Sequence, residues 1–174
     1  MRKTKKLTLS AVLVAMGVAL MALGTVTEVL DLSASVLASM LVAFVCIEIG
    51  APYHLLVWLA TSTLSMLLFP FSLAPISYLV AFGLWPILKG YAERAPRVFW
   101  IPIKLLFATV AIALVGLYTY LLTGLPLVLS DKLWLTVATY LLLYVAFMLY
   151  DVCITRLVRY YLVRLRPRFQ HLLK

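Results

Sequence analysis

The stretch from Trp85 to Leu105, WPILKGYAERAPRVFWIPIKL, decides how this chain is read. It holds Lys89, Glu93, Arg94, Arg97 and Lys104, an internal cluster of charge in a sequence that is otherwise apolar. Four apolar segments precede it and two follow. A loop with three basic residues and one acid belongs on the cytoplasmic side, because Lys and Arg near helix ends are retained there. That assignment orients every other segment.

Composition points to a bilayer as solvent. Of the 174 residues, 66% are hydrophobic and 12% charged, and the mean hydropathy is +1.11. Soluble domains carry roughly 25% charged residues, so this chain reads as an integral membrane protein. A crossing takes about 20 residues, so six helices use most of the length and leave no room for a soluble domain. The expected fold is a single all-α membrane domain with six transmembrane helices, short loops and both termini cytoplasmic. The helices are expected at about 8–25, 34–49, 53–69, 73–88, 98–122 and 132–155, with a basic amphipathic extension over 156–174.

The net charge of +9 is distributed as a topology signal. Of the 15 basic residues, 13 lie before the first apolar run, within 89–97, or after the last run. Six crossings put all three groups on one side, while Lys132 faces Glu28, Asp31 and Asp131 on the other. The excess therefore suits anionic lipid rather than nucleic acid. Cys46 and Cys153 each sit inside an apolar run and read as packing residues; neither a disulfide framework nor a metal motif is present, and no cofactor is expected. The opening MRKTKK lacks a small-residue cleavage site near Gly24 to Glu28, so the first apolar run reads as a retained helix.

Polar and small residues within the apolar segments carry the remaining information. Ala11, Ala15, Ala19 and Ala22 line one face of the first helix, either as a docking surface or as ordinary membrane-helix alanines. Residues 25–33, TVTEVLDLS, form an outer loop that is either a solvated turn or a lid over an outward-facing cavity. Gly50-Ala51-Pro52 makes an inner turn, with His54 interfacial just beyond it. Pro70 and Pro75 interrupt residues 53–88, which form either two spanning helices or a re-entrant hairpin. Thr61, Ser62, Thr63 and Ser65 either bond back to their own helix or line a polar cavity.

Glu48 sits near the inner boundary, with Lys104 and Arg94 its nearest cations by depth. Lys104 lies roughly 10 Å into the fifth helix. It either snorkels to the interface or pairs with Glu48 or Asp151, a structural cluster in both cases. Tyr118 and Tyr120 suit the outer aromatic belt. Tyr140 and Tyr144, four residues apart, are core packing or flat walls for a ring-containing ligand. Beyond Asp151, Arg156, Arg159 and Arg166 share one side of a helical projection and Leu157, Tyr161, Leu162 and Leu165 much of the other, as in a helix lying on the membrane surface.

The chain contains no HExxH, GxSxG or Walker A pattern, so no enzyme is expected and active transport needs an energising partner. With these features, the opening KLTLSAVLVAMGVAL and the inner LWPILKGYAER resemble the substrate-binding S components of energy-coupling-factor (ECF) transporters, or small S-component-like bacterial membrane proteins. The likeness covers essentially the whole chain. It implies a multi-pass protein of the bacterial plasma membrane that captures a vitamin or micronutrient from outside. It also implies that Ala11 and Ala15, with Ala19 on the same face, dock on a transmembrane coupling subunit that carries ATPases. The implied pocket lies in the outer helix halves, near Glu28, Asp31 and Pro70 to Pro75, with Ser39, Tyr78, Tyr118 and Tyr140 as further lining candidates. The sequence departs from the family's known vitamin binders in lacking their binding motifs, so no ligand is assigned. Two rivals stand beside this reading. One is a non-catalytic scaffold, like the rod-shape-determining membrane subunit of bacterial envelope machinery, working through Arg94, Arg97 and the arginine tail. The other is a stand-alone proton-coupled carrier using Glu48 and Asp151.

Overall fold

The computed structural model describes residues 3–27, 30–92, 96, 99–124 and 133–166; these are mostly helical, joined by short turns, with no strand among them. Six helices follow one another: α1 (Lys3–Thr27), α2 (Asp31–Glu48), α3 (Tyr53–Leu68), α4 (Leu73–Ala92), α5 (Trp100–Thr123) and α6 (Leu133–Tyr160). All but α3 are long and apolar enough to cross a membrane. With 16 residues, α3 spans about 24 Å at 1.5 Å per residue. A wider π turn over Tyr78–Phe82 interrupts α4, and another over Tyr161–Leu165 prolongs α6.

Long-range contacts establish which helix ends lie together. Lys6 Nζ donates to Ile49 O at 3.3 Å and lies 5.8 Å from the Tyr53 ring centre, so the start of α1 meets the α2–α3 turn. Arg166, beyond α6, reaches Glu48 at the same end. At the opposite end Thr25 meets Ser72 at 3.0 Å, and the Tyr118 hydroxyl donates to Pro70 O. The helices therefore alternate in direction, with a terminal end and an opposite end. Residues 53–92 run across the bundle and back rather than turning within it. The Ser72 side chain accepts from Ala74 N at 3.2 Å and caps the start of α4.

Close helix approach depends on glycine. The buried side of α1 is Ser10, Leu13, Gly17, Met21 and Gly24, a three-and-four spacing that keeps one face inward. A Cβ on Gly24 would lie 2.5 Å from Ala34 Cβ, and one on Gly17 would lie 2.8 Å from Thr61 Cγ2. Without a hydrophobic driving force between helices in lipid, such close packing is a main source of cohesion. Ala11, Ala15 and Ala19 lie outside this contact and are exposed. At the α2–α3 turn Gly50 has φ +76°, a left-handed conformation that glycine adopts without strain.

Two cores result. The first joins α1 to α4 through Leu13, Met21, Val42, Val45, Val57 and Tyr78. The second joins α4, α5 and α6 through Trp85, Ala108, Phe147, Tyr150 and Ile154. In it, the ring centres of Phe107 and Phe147 lie 4.8 and 5.2 Å from that of Trp85, and Phe82 meets Tyr150 edge-on at 4.8 Å.

The extension expected to begin at residue 156 differs. The sixth helix continues without a break through Tyr160 and the π turn to Leu165. That continuation returns Tyr161 and Arg166 to Glu48 instead of laying a separate helix on the surface. Residues 167–174 lie outside the described part of the chain.

Candidate functional site

An ionic cluster ties α4, α5 and α6 together. Asp151 on α6 is 3% exposed. Its Oδ1 accepts from Trp85 Nε1 at 2.9 Å and from Lys89 Nζ at 2.5 Å, and its Oδ2 accepts from Lys104 Nζ at 2.6 Å. Lys89, 7% exposed, also donates to the Asp151 backbone carbonyl at 3.0 Å and to Thr155 Oγ1. Four-residue spacing puts Trp85 and Lys89 on one face of α4, and Asp151 and Thr155 on one face of α6. A carboxylate withdrawn from water is costly unless cations and donors surround it. Here both oxygens are engaged, so the cluster acts as a clamp between the three helices.

This arrangement alters two expectations. Lys89 is not a loop cation: it turns into the bundle and shares Asp151 with Lys104. Glu48 does not join Lys104. Its Oε1 accepts from the Tyr161 hydroxyl at 3.2 Å, and Arg166 Nε lies 3.2 Å away. Arg94, the other cation expected near Glu48, lies outside the described residues, as does Arg97.

At the opposite end a cleft of about 550 Å³ opens between the tops of α1, α2 and the α3–α4 turn. Thr25, Asp31 and Ser72 supply its polar groups, and Leu68, Phe69, Pro70, Phe71 and Leu73 its apolar walls. Thr25 Oγ1 lies 3.0 Å from Ser72 Oγ, which lies 3.4 Å from Asp31 Oδ1. Asp31 is the first residue of α2, where the unsatisfied amides of the helix start favour a carboxylate. Tyr118 of α5 buttresses the cleft through Pro70.

The remaining candidates are dispersed. Ser39 and Tyr78 lie in the packed core, not in the cleft. The Tyr150 hydroxyl donates to Phe82 O at 2.6 Å and lies 2.9 Å from Ser39 Oγ. Tyr140 is on the exposed side of α6, while Tyr144 meets Thr109 Oγ1 at 2.8 Å. Glu28 lies outside the described residues. In α3, Ser62 and Thr63 bond back to carbonyls of their own helix, whereas Thr61 and Ser65 have buried hydroxyls with no hydrogen-bond partner among the described residues. His54 is buried at the start of α3, and Cys153 is exposed on α6 rather than packed.

Sequence placed Lys89 among the loop cations and gave Trp85, Thr25 and Ser72 no role. The four-residue steps Trp85–Lys89 and Asp151–Thr155 are the sequence signal that could have disclosed the clamp. Thr25 and Ser72 carry no such signal, because 47 residues separate them. No protein-family model, curated protein or solved structure matches this chain.

Proposed function

We propose that this chain is a non-catalytic substrate-capture subunit of ECF type, an S-component-like protein of a bacterial plasma membrane. It takes a small polar molecule, of vitamin or micronutrient class, into the Thr25–Asp31–Ser72 cleft and relies on a separate transmembrane partner with ATPases. The observation that carries the reading is the convergence of three polar side chains within apolar walls, at the end away from the basic termini. Small-molecule sites have this form, in volumes of about 300–1,000 Å³. With the basic end cytoplasmic by the positive-inside rule, the cleft faces outward. The exposed alanine face of α1 suits lateral docking of another helix, in keeping with the S-component resemblance of the first helix.

The carrier rival loses support because Glu48 and Asp151 are each engaged by cations. Purification from native membranes in mild detergent, with mass spectrometry of bound proteins and small molecules, tests the proposal. A co-purifying ATPase-linked membrane subunit, lost on Ala11→Trp or Ala15→Trp, supports it. A small molecule lost on Asp31→Asn or Ser72→Ala names the cargo. Recovery of envelope-synthesis proteins, with neither ATPase nor ligand, overturns it in favour of the scaffold. Uptake by liposomes containing this chain alone overturns it in favour of the carrier.

A further inference from the structure

A second feature lies at the other end of the molecule. Leu105 of α5 and Tyr144, Val145, Met148, Leu149 and Val152 of α6 line an outward-facing groove of about 280 Å³. Its one polar lining group, the Tyr144 hydroxyl, is occupied by Thr109. On α6, Val145, Leu149 and Val152 follow one another at steps of four and three residues, and the same stripe continues into Arg156 and Arg159. Both arginines are exposed, and the first lies about 6 Å along the axis from Val152. Beside the groove's inner end, Lys104 and Asp151 are the chain neighbours of Leu105 and Val152. Lys104 is partly exposed, and Asp151 is already engaged by Trp85 and two lysines, so it does not offset the arginines.

We propose that this groove and its arginines form a site for one anionic phospholipid of the leaflet at the terminal end. An acyl chain lies against Leu105, Val145, Leu149 and Val152, and the phosphate sits between Arg156 and Arg159. An apolar trough about two helical turns long, ending in two guanidiniums, matches both parts of such a lipid. Guanidinium pairs phosphate oxygens through paired, charge-assisted hydrogen bonds. Phosphatidylcholine offers the same chain and phosphate, but its trimethylammonium group offsets the phosphate charge and is repelled by the two guanidiniums. The inference requires that the chain spans a bilayer; it is independent of substrate capture at the opposite end.

The test is native mass spectrometry of the purified, delipidated full-length chain, reloaded with phosphatidylglycerol or phosphatidylcholine. The expected result is one retained phosphatidylglycerol and little phosphatidylcholine. A charge-assisted hydrogen bond from guanidinium to phosphate is worth about ten-fold or more in affinity, so Arg156→Gln with Arg159→Gln should weaken retention about 100-fold. Val145→Trp, which fills the groove and leaves the charge intact, should also lower retention. Arg164→Gln, which removes an arginine lying over the Tyr160 ring, should leave retention near that of the parent. Equal retention of the two lipids by the unaltered chain, a comparison that needs no variant, overturns the proposal. So does an Arg164→Gln loss as large as that of the double variant, since attraction is then a matter of diffuse charge.

Discussion

At the scale of residues, the Asp151 clamp has the most consequence. It is a buried carboxylate shared between Lys89 and Lys104, with Trp85 as a third donor. Removing one partner of a buried pair strands the other charge where water cannot compensate it, at a cost of about 3–5 kcal/mol. Asp151→Asn and Lys89→Met are therefore expected to lower stability by about 3 kcal/mol each. Lys104→Met should cost about 1 kcal/mol, because that side chain is partly exposed and screened. Thermal unfolding in detergent checks the order; an equal effect of all three would show that Lys89 is not the more deeply committed partner. The clamp was half legible. Lys104 and Asp151 stand out as charges inside apolar runs, whereas Lys89 sits beside Arg94 and Arg97 and reads as one more loop cation.

At the scale of elements, the close approach of α1 to α2 and α3 sets the geometry of the first core. Gly24→Ala must push apart two main chains, since the new methyl would meet Ala34 Cβ at 2.5 Å. Overpacking of that kind costs about 1–3 kcal/mol. Gly90→Ala in α4 is the matched control. Nothing lies within 4 Å of its added Cβ, so the change should be neutral or stabilising by up to about 1 kcal/mol. Detergent unfolding temperatures that fall for Gly24→Ala and not for Gly90→Ala check the pair. The sequence shows a face of alanines on α1, read as a docking surface for a separate subunit, and gives the glycines no such prominence. Inside the chain the glycines make the contact, and the alanine face is left exposed.

At the scale of the whole molecule, the alternating helices separate a basic terminal end from an opposite end bearing the Thr25–Asp31–Ser72 cleft. In a bilayer the basic end is expected in the cytoplasm. A chain with Cys46→Ser and Cys153→Ser, carrying a new cysteine at the exposed Phe71 or at Lys5, reports this directly. A membrane-impermeant thiol reagent added to intact cells should label the Phe71→Cys protein and reach the Lys5→Cys protein only after permeabilisation. The reverse pattern would invert the orientation and turn the cleft to the cytoplasm, against substrate capture from outside.

Sequence by itself determined the helical, lipid-compatible character of the chain, the number of apolar segments and the basic character of its ends. Those properties are sums over consecutive residues, and hydropathy and charge are additive along a segment. Tertiary structure alone decided that Lys89 rather than Glu48 completes the clamp, that Glu48 pairs with Arg166, and that Thr25 meets Ser72. Such pairings depend on how each helix is rotated and how deep it sits. A segment that is apolar on all sides, as α5 and α6 largely are, carries little periodic signal to set that rotation. It is set instead by contacts such as Gly24 on Ala34 and Trp85 on Phe147, which exist only once the helices have packed.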